Sequence, residues 1–174
     1  MPRDRLDIDI DVDIAIANIE FARGYTKTLL TDLTDSDWLQ IPTGCVSNIA
    51  WQVGHLAMAQ YALTMIRIRG KEPTDAEFIS SKFFKRYKKT SAPSAEPSDN
   101  EPLDEIRTTF ENVHTRAIEE LKICSEDVLN ESLPEPHAVF ATKLGSVYFC
   151  GSHEMLHAGQ IGMIRRMLGK EPVR

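Results

Sequence analysis

The sequence predicts an all-α protein, a four-helix bundle with a long crossover connection. Three observations support this fold class. Four long stretches carry apolar residues at three- and four-residue spacing, which is typical of amphipathic helices. No two segments look like paired strands. A Ser/Pro/Ala-rich stretch, residues 90–101, separates the second and third long helices and is long enough for a crossover between them.

The first helix follows an unusual N-terminal segment in which Leu6, Ile8 and Ile10 alternate with aspartates. Such alternation normally favours a strand, but aspartate is a poor strand former and no partner strand is present. We therefore expect an extended lead-in that passes into a helix at about residue 12. Gly24 weakens this helix without ending it. Its apolar stripe comprises Val12, Ile16, Ile19, Tyr25, Leu29 and Leu30.

The second long helix has clearer limits. The capping residues 34–37 first predict a short turn or helix around Trp38. Ser47 is then the expected N-cap of the long helix, and Gly70 its stop signal. The stripe between them comprises Trp51, His55, Met58, Ala59, Ala62, Met65 and Ile66. Residues 74–101 are the least regular part of the chain.

The third helix begins at Pro102, since proline is favoured in a first helical turn. Its buried stripe comprises Leu103, Ile106, Phe110, Val113, Ala117 and Leu121. Residues 124–141 predict a loop with one short capped turn. The last helix runs from about Thr142 to Leu168, before Gly169, and its inner face holds Val147, Cys150, His153, His157, Ile161, Ile164 and Leu168. We expect residues 1–174 to form one domain, with residues 90–101 a flexible linker within it.

Composition excludes several classes of function. The net charge is −6, which argues against general affinity for nucleic acid or for an anionic membrane. No apolar run approaches the roughly 18 residues of a membrane span, and no secretory signal is recognisable. The three scattered cysteines, Cys45, Cys124 and Cys150, do not suggest a disulfide framework. We therefore expect a cytoplasmic protein.

Three histidines are candidate ligands for one divalent metal. His153 and His157 are four residues apart, so both project from one helical face, and that face is apolar. His55 lies on the apolar face of the second long helix. If the second and last helices run parallel with their glycine ends level, His55 lies about 22 Å from its end and the pair about 24 and 18 Å from theirs. The third imidazole would then fall between the other two.

Other residues in the same segments allow alternative interpretations. His153-Glu154-Met155-Leu156-His157 matches the H-E-x-x-H peptidase motif, with Glu154 as general base, but the extended form of that motif is missing. Glu154 is more simply a residue one position off the metal face. His114, which we expect to face outward, and His137 are weaker candidates for a fourth ligand. Cys150 is expected to be a core residue or a fourth ligand.

The basic, aromatic stretch from Lys82 to Lys89 has three interpretations. It is typical of a solvated amphipathic face, and that interpretation is preferred in an acidic protein. It also has the composition of a site for single-stranded nucleic acid. The third interpretation is that it flanks the mouth of the metal site and attracts an anionic ligand.

Two segments resemble the DinB/YfiT-like family of metalloenzymes: residues 47–56, with Trp51 and His55, and residues 153–161, with His-Ala-Gly-Gln at 157–160. Arg165-Arg166-Met167-Leu168-Gly169 completes the second segment. The resemblance extends over nearly the whole chain. It implies a four-helix bundle whose metal, nickel, zinc, iron or manganese, is held by three histidines and water. It also implies a homodimer.

Two classes of function follow from this resemblance. The first is a metal-dependent transferase that uses a low-molecular-weight thiol, such as bacillithiol, mycothiol or glutathione, and a small-molecule substrate. The second is a non-catalytic metal-binding or stress-response protein. A site with three protein ligands and one open position favours the enzyme. A peptidase that uses Glu154 is a remote alternative.

Overall fold

Four long helices dominate residues 12–173, the part of the chain that the computed structural model describes. The predicted lead-in at residues 6–10 lies outside the described residues. Strand structure in the described part is limited to one bridge between Ser132 and Thr142. The helices are α1 (Val12–Leu30), α2 (Asp35–Leu39), α3 (Ile49–Tyr61), α4 (Arg67–Arg69), α5 (Ser81–Arg86), α6 (Leu103–Ile123), α7 (Glu126–Asn130) and α8 (Lys143–Met167).

Helices α3 and α4 form one continuous rod, joined by a π-helical turn at Ala62–Ile66. The rod begins one residue later than predicted, because Asn48 and not Ser47 is the N-cap, with its side chain accepting a hydrogen bond from Trp51 N. It ends at Gly70, whose φ of 85° is the left-handed conformation that glycine tolerates best. Sequence signals therefore located both ends to within a residue.

The direction of this rod relative to α8 differs from the prediction. Gln52, near the start of α3, contacts Gln160, whereas Leu63 further along accepts a hydrogen bond from Ser146, near the start of α8. The two helices therefore run antiparallel, and the parallel pairing with level glycine ends was wrong. A glycine stop marks where a helix ends but carries no information about which way its neighbour runs.

The four long helices have an up-down-down-up arrangement. Helices α1 and α8 are parallel, since Asn18 contacts Tyr148 and Leu29 contacts Arg165. The α3–α4 rod and α6 are also parallel, because Gln60 contacts His114 and Arg69 contacts Glu120. A connection between two parallel helices must return along the bundle, and residues 70–102 do so. The predicted crossover is therefore confirmed.

The crossover packs against the bundle at defined points. Phe83 and Tyr87 are fully buried and belong to the larger of two apolar clusters in the core. Further along, the Asn48 side chain donates a hydrogen bond to the carbonyl of Ser94. Short 3₁₀ turns at Pro73–Glu77 and Pro97–Asp99 flank this segment. None of the helices within residues 12–173 has both the length and the apolar character needed to cross a membrane.

Candidate metal centre

The structure brings His55, His153 and His157 together between α3 and α8. One ligand atom from each lies within 4.8 Å of the others. The ring centroids of His153 and His157 are 4.6 Å apart, and that of His55 lies 5.4 and 4.7 Å from them. In a loaded site we expect these ligand atoms to lie about 3–4 Å from one another. The antiparallel rod thus achieves the convergence that we expected from a parallel one.

Hydrogen bonds fix which nitrogen two of these rings can offer to a metal. His55 Nδ1 lies 2.8 Å from the carbonyl oxygen of Tyr87, which can only accept, so Nδ1 carries the hydrogen. His157 Nδ1 lies 2.5 Å from Oε1 of Gln52 and donates to it in the same way. Both rings therefore keep the Nε2 lone pair free. This is the form in which histidine binds a divalent metal.

Burial keeps the three imidazoles neutral. His55 is only 5% exposed, whereas His153 and His157 are half-buried, so the site opens to solvent on the side of α8. Desolvation lowers the pKa of His55. Burial is the main cause that lowers the pKa of His153 to about 4, and charge repulsion from His55 adds to it. Burial likewise lowers the pKa of His157 to about 3, with charge repulsion from His153 and His55. Three neutral, converging imidazoles with one open side fit a divalent transition metal.

Aromatic rings surround this cluster. The ring of Trp51 stacks on that of His55, with centroids 4.8 Å apart and planes 6° from parallel. Trp51 Nε1 in turn donates to Oγ of Ser91 in the crossover. Beside His153, the ring centroid of Phe149 lies 5.8 Å from that of the histidine. The crossover therefore anchors the Trp51 wall of the site through Ser91 and supplies the carbonyl that holds His55.

Glu154 points away from the three histidines into a separate buried network. Its carboxylate accepts hydrogen bonds from Arg23 Nε and Nη2, at 2.8 and 3.2 Å, and both side chains are about 2% exposed. Arg23 also donates to Oε1 of Gln60 and to the carbonyl of Phe110. With both oxygens paired to a guanidinium, Glu154 is not placed to act as the general base of a peptidase.

The weaker candidates lie outside the three-histidine cluster. The expectation that His114 faces outward was wrong: its Nδ1 accepts from Nε2 of Gln60, and burial lowers its pKa to about 3. His137 stacks on Phe140, with ring centroids 4.5 Å apart. Cys150 is buried, as expected of a core residue, and burial raises the pKa of its thiol.

The basic stretch 82–89 lies beside the metal centre. Its residues Phe83 and Tyr87 are buried, so neither ring is available to stack on nucleic-acid bases. Lys88 and Lys89 are exposed and directly follow Tyr87, whose carbonyl holds His55. These positions agree with the interpretation in which the stretch flanks the mouth of the metal site.

The sequence analysis assigned no role to Gln52 or Arg23, although the position of each on its helix indicated a buried partner. Gln52 is a buried polar residue three positions before His55 on a largely apolar helix. Arg23 is a charged residue on the stripe of α1, four positions after Ile19. A polar or charged residue on an apolar stripe needs a buried partner. Only the three-dimensional arrangement shows that these partners are His157 and Glu154.

Comparisons with known proteins agree with this architecture. A sequence model of the DinB superfamily matches residues 18–161. A conserved protein of Enterococcus faecalis has a similar structure, with a TM-score of 0.62, 13% identity, and coverage of 92% of this chain and 98% of that chain. YfiT from Bacillus subtilis, described as a probable metal-dependent hydrolase with an unusual four-helix bundle topology, has a TM-score of 0.60 and 16% identity, with 98% and 94% covered. At such identities the structural likeness shows the fold. No match was found among curated proteins.

Proposed function

The chain belongs to the DinB superfamily, and from its three converging histidines we propose that it is a metal-dependent enzyme acting on a small molecule. The observation that carries the proposal is the shared geometry of His55, His153 and His157. The rings are held in place, two of them keep a free Nε2, and one side of the site is open. A purely structural metal site is usually closed by four protein ligands.

The residues around the site suit activation of an external nucleophile. When bound, a divalent ion supplies the positive charge that lowers the pKa of a coordinating thiol or water. The chain itself contributes three neutral ligands, an aromatic wall at Trp51, and the exposed Lys88 and Lys89, whose charge would attract an anionic reactant. Glu154 contributes no base, because Arg23 holds its carboxylate.

Transfer to a thiol is the reaction that this arrangement favours. A thiol that is deprotonated at the site needs no protein base to attack an electrophile. The thiol sulfur forms the new bond, its proton goes to solvent, and the electrophile loses its leaving group. We propose a cytoplasmic location for this reaction, because low-molecular-weight thiols are kept reduced there. The native metal would be nickel, zinc, iron or manganese.

Hydrolysis is the second candidate function. It is favoured by the similarity in fold to YfiT, whose description names metal-dependent hydrolysis. Water would then occupy the position of the thiol and would need a base to accept its proton. A third outcome is a metal-binding protein without catalysis. All three use the same histidines, so the reaction measured decides among them.

The ligand assignment predicts that His55→Ala loses most of the metal affinity. Two imidazoles from one helical turn hold an ion poorly, and α3 would no longer contribute a ligand. Isothermal titration of untagged, chelator-treated protein with zinc measures the effect. His137→Ala is the control and should bind like the parent, because His137 stacks on Phe140 outside the cluster. Parental affinity in His55→Ala would overturn the three-histidine site.

The reaction is tested with untagged protein whose native metal has first been identified by elemental analysis. Metal-loaded protein is incubated with an aryl chloride and, in turn, with glutathione, bacillithiol and mycothiol, and thioether product is measured by mass spectrometry. We expect product with at least one thiol, and none from the chelated protein or from His153→Ala. Metal-dependent ester hydrolysis without adducts would favour the hydrolase. If metal binds but neither reaction is detected, the result would favour a metal-binding protein without catalysis.

A further inference from the structure

Gln52 has contacts that the metal ligands alone do not explain. It is 1% exposed on α3. Its Oε1 accepts from Nδ1 of His157 at 2.5 Å. Its Nε2 donates to Oε1 of Gln160 at 2.9 Å and to Oγ of Ser47 at 3.0 Å. One amide thus joins the start of α3 to two positions, three residues apart, on α8.

The orientation of this amide determines the tautomer of His157. A neutral imidazole carries one hydrogen, and the nitrogen without it offers the lone pair. When Gln52 presents its oxygen, the hydrogen is held on Nδ1 and Nε2 is free. If the amide turned over, its NH₂ group would face Nδ1 and favour the opposite tautomer, with the hydrogen on Nε2.

Gln160 and Ser47 hold the amide in this orientation. They accept its two hydrogens, so a turned amide would keep these hydrogen bonds only if the Ser47 hydroxyl became a donor and the Gln160 amide turned as well. His55 needs no such side-chain restraint, because its acceptor is the backbone carbonyl oxygen of Tyr87, which cannot donate a hydrogen bond in any orientation. The two ligands are therefore fixed in the same tautomer by different means.

We propose that Gln52, held by Gln160 and Ser47, is a positioning residue that sets His157 in its Nδ1–H tautomer and so prepares the Nε2 lone pair for the metal. The consequence for metal binding rests on the proposed function. The tautomer itself is a property of the metal-free chain. Loss of a hydrogen-bond partner behind a metal-ligating histidine typically costs about 10–100-fold in affinity.

Three variants separate this role from simple packing. Gln52→Met keeps the length of the side chain but removes the acceptor, and should weaken zinc binding by about 10–100-fold. Gln52→Glu keeps an acceptor toward His157, while Ser47 and a rotated Gln160 amide can donate to its second oxygen, so binding should remain close to parental. Gln160→Met, at an exposed residue, removes one hydrogen-bond acceptor of the Gln52 amide. It should weaken zinc binding less than Gln52→Met does. Gln40→Met, at an exposed glutamine beyond α2, is the control.

The deciding measurement is the histidine tautomer in chelator-treated, ¹⁵N-labelled protein near neutral pH. Two-bond ¹H–¹⁵N spectra distinguish Nδ1–H from Nε2–H, with resonances assigned from the single histidine-to-alanine variants. We expect His157 as Nδ1–H in the parent and in Gln52→Glu, and a shift toward Nε2–H in Gln160→Met and Gln52→Met. His55 should stay Nδ1–H throughout.

Two results would overturn the proposal: Nε2–H for His157 in the parent, or an unchanged tautomer in every methionine variant that folds. The parent carries no substitution, and Gln160→Met changes an exposed residue, so a folding defect in Gln52→Met leaves the test decisive. If the parent binds no metal, the proposed function fails while the tautomer result still stands. If metal binds and the tautomer ignores Gln52, the positioning role alone fails.

Discussion

Buried histidines make the stability of the metal-free protein depend on pH. Burial holds the pKa of His153 at about 4 and that of His157 and His114 at about 3, whereas an unfolded histidine titrates near pKa 6.5. Below about pH 6.5 the unfolded chain therefore binds more protons than the folded one. By linkage, the contribution of these neutral histidines to the free energy of unfolding is fully present above about pH 6.5 and is lost as pH falls toward about 3–4.

Urea unfolding of chelator-treated protein at a series of pH values checks this expectation. The free energy of unfolding should decline between about pH 6.5 and pH 4, and His157→Gln should make the decline shallower because one titrating group is gone. A parental free energy of unfolding that stays constant across that window would contradict the lowered pKa values. Metal should protect the protein in the upper part of the window, since it binds only the folded, neutral imidazoles.

The ion pair of Arg23 and Glu154 is a second feature at this scale. Both groups are almost fully buried, so removal of one partner leaves an uncompensated charge in the core. Arg23→Met should cost about 3–5 kcal/mol of folding stability, measured by chemical denaturation. The pair Lys27–Glu111, one turn further along α1, is half-exposed, and Lys27→Met should cost less than about 1 kcal/mol.

The double variant Arg23→Met/Glu154→Met gives the internal check on that prediction. It removes both charges together, so it should be more stable than Arg23→Met alone. Equal stability of the single and double variants would mean that the loss comes from the Arg23 contacts with Gln60 and Phe110 and not from the unpaired carboxylate.

At the scale of elements, the contact between α3 and the crossover depends on Gly54. A Cβ at this position would lie 2.5–2.7 Å from ring atoms of Tyr87, a fully buried side chain that cannot swing aside. Gly54→Ala should therefore cost about 1–3 kcal/mol of stability. It should also weaken zinc binding, because displacement of Tyr87 moves the carbonyl that holds His55.

Gly24 in α1 is the matched control for this substitution. Nothing lies within 4 Å of a Cβ built there, and the residue is exposed within a helix. Gly24→Ala should stabilise the protein by about 0.5–1 kcal/mol, because alanine loses less backbone entropy on folding. Thermal unfolding of both variants measures the contrast. A destabilised Gly24→Ala, or a neutral Gly54→Ala, would show that the packing around these glycines is not as described.

The limits of each helix were predictable from sequence, whereas the directions were not. Capping residues and glycine stops are local signals, and they located the rod that ends at Gly70 and the helix that begins after Thr142. Helix direction is set by packing between distant stripes, and either direction satisfies the same apolar pattern. The pair His153 and His157 followed from helical spacing. The place of His55 in the site came from the resemblance, since the depth argument assumed the wrong direction.

The up-down-down-up topology explains why a loop contributes to the candidate metal centre. The parallel rod and α6 require a connection that travels back along the bundle, and that connection passes the start of α3. Tyr87 and Ser91 are thereby placed beside His55 and Trp51. The crossover is thus part of the site as well as part of the topology. An antiparallel hairpin between the same helices would have left His55 without its backbone acceptor.

We expect the protein to associate as a homodimer. Helices α1 and α8 pack side by side and expose large apolar side chains, including Phe21 at 68%, Met163 at 59% and Leu156 at 64% of their surface. Apolar groups of this size on adjacent helices favour burial against another protein surface. A second copy of the chain has the same apolar face, so a two-fold symmetric contact would bury the exposed α1 and α8 side chains of both copies.

Sedimentation velocity at micromolar concentration tests this expectation. The parent should sediment as a dimer, and Phe21→Glu or Met163→Glu should sediment as a folded monomer, because a charge would be buried without a partner. Ile123→Glu is the control: this side chain is 86% exposed at the end of α6, a helix outside the α1–α8 pair, and its replacement should leave the dimer intact. A monomeric parent would overturn the prediction. Dimers that persist in both glutamate variants would mean that the copies associate through another surface.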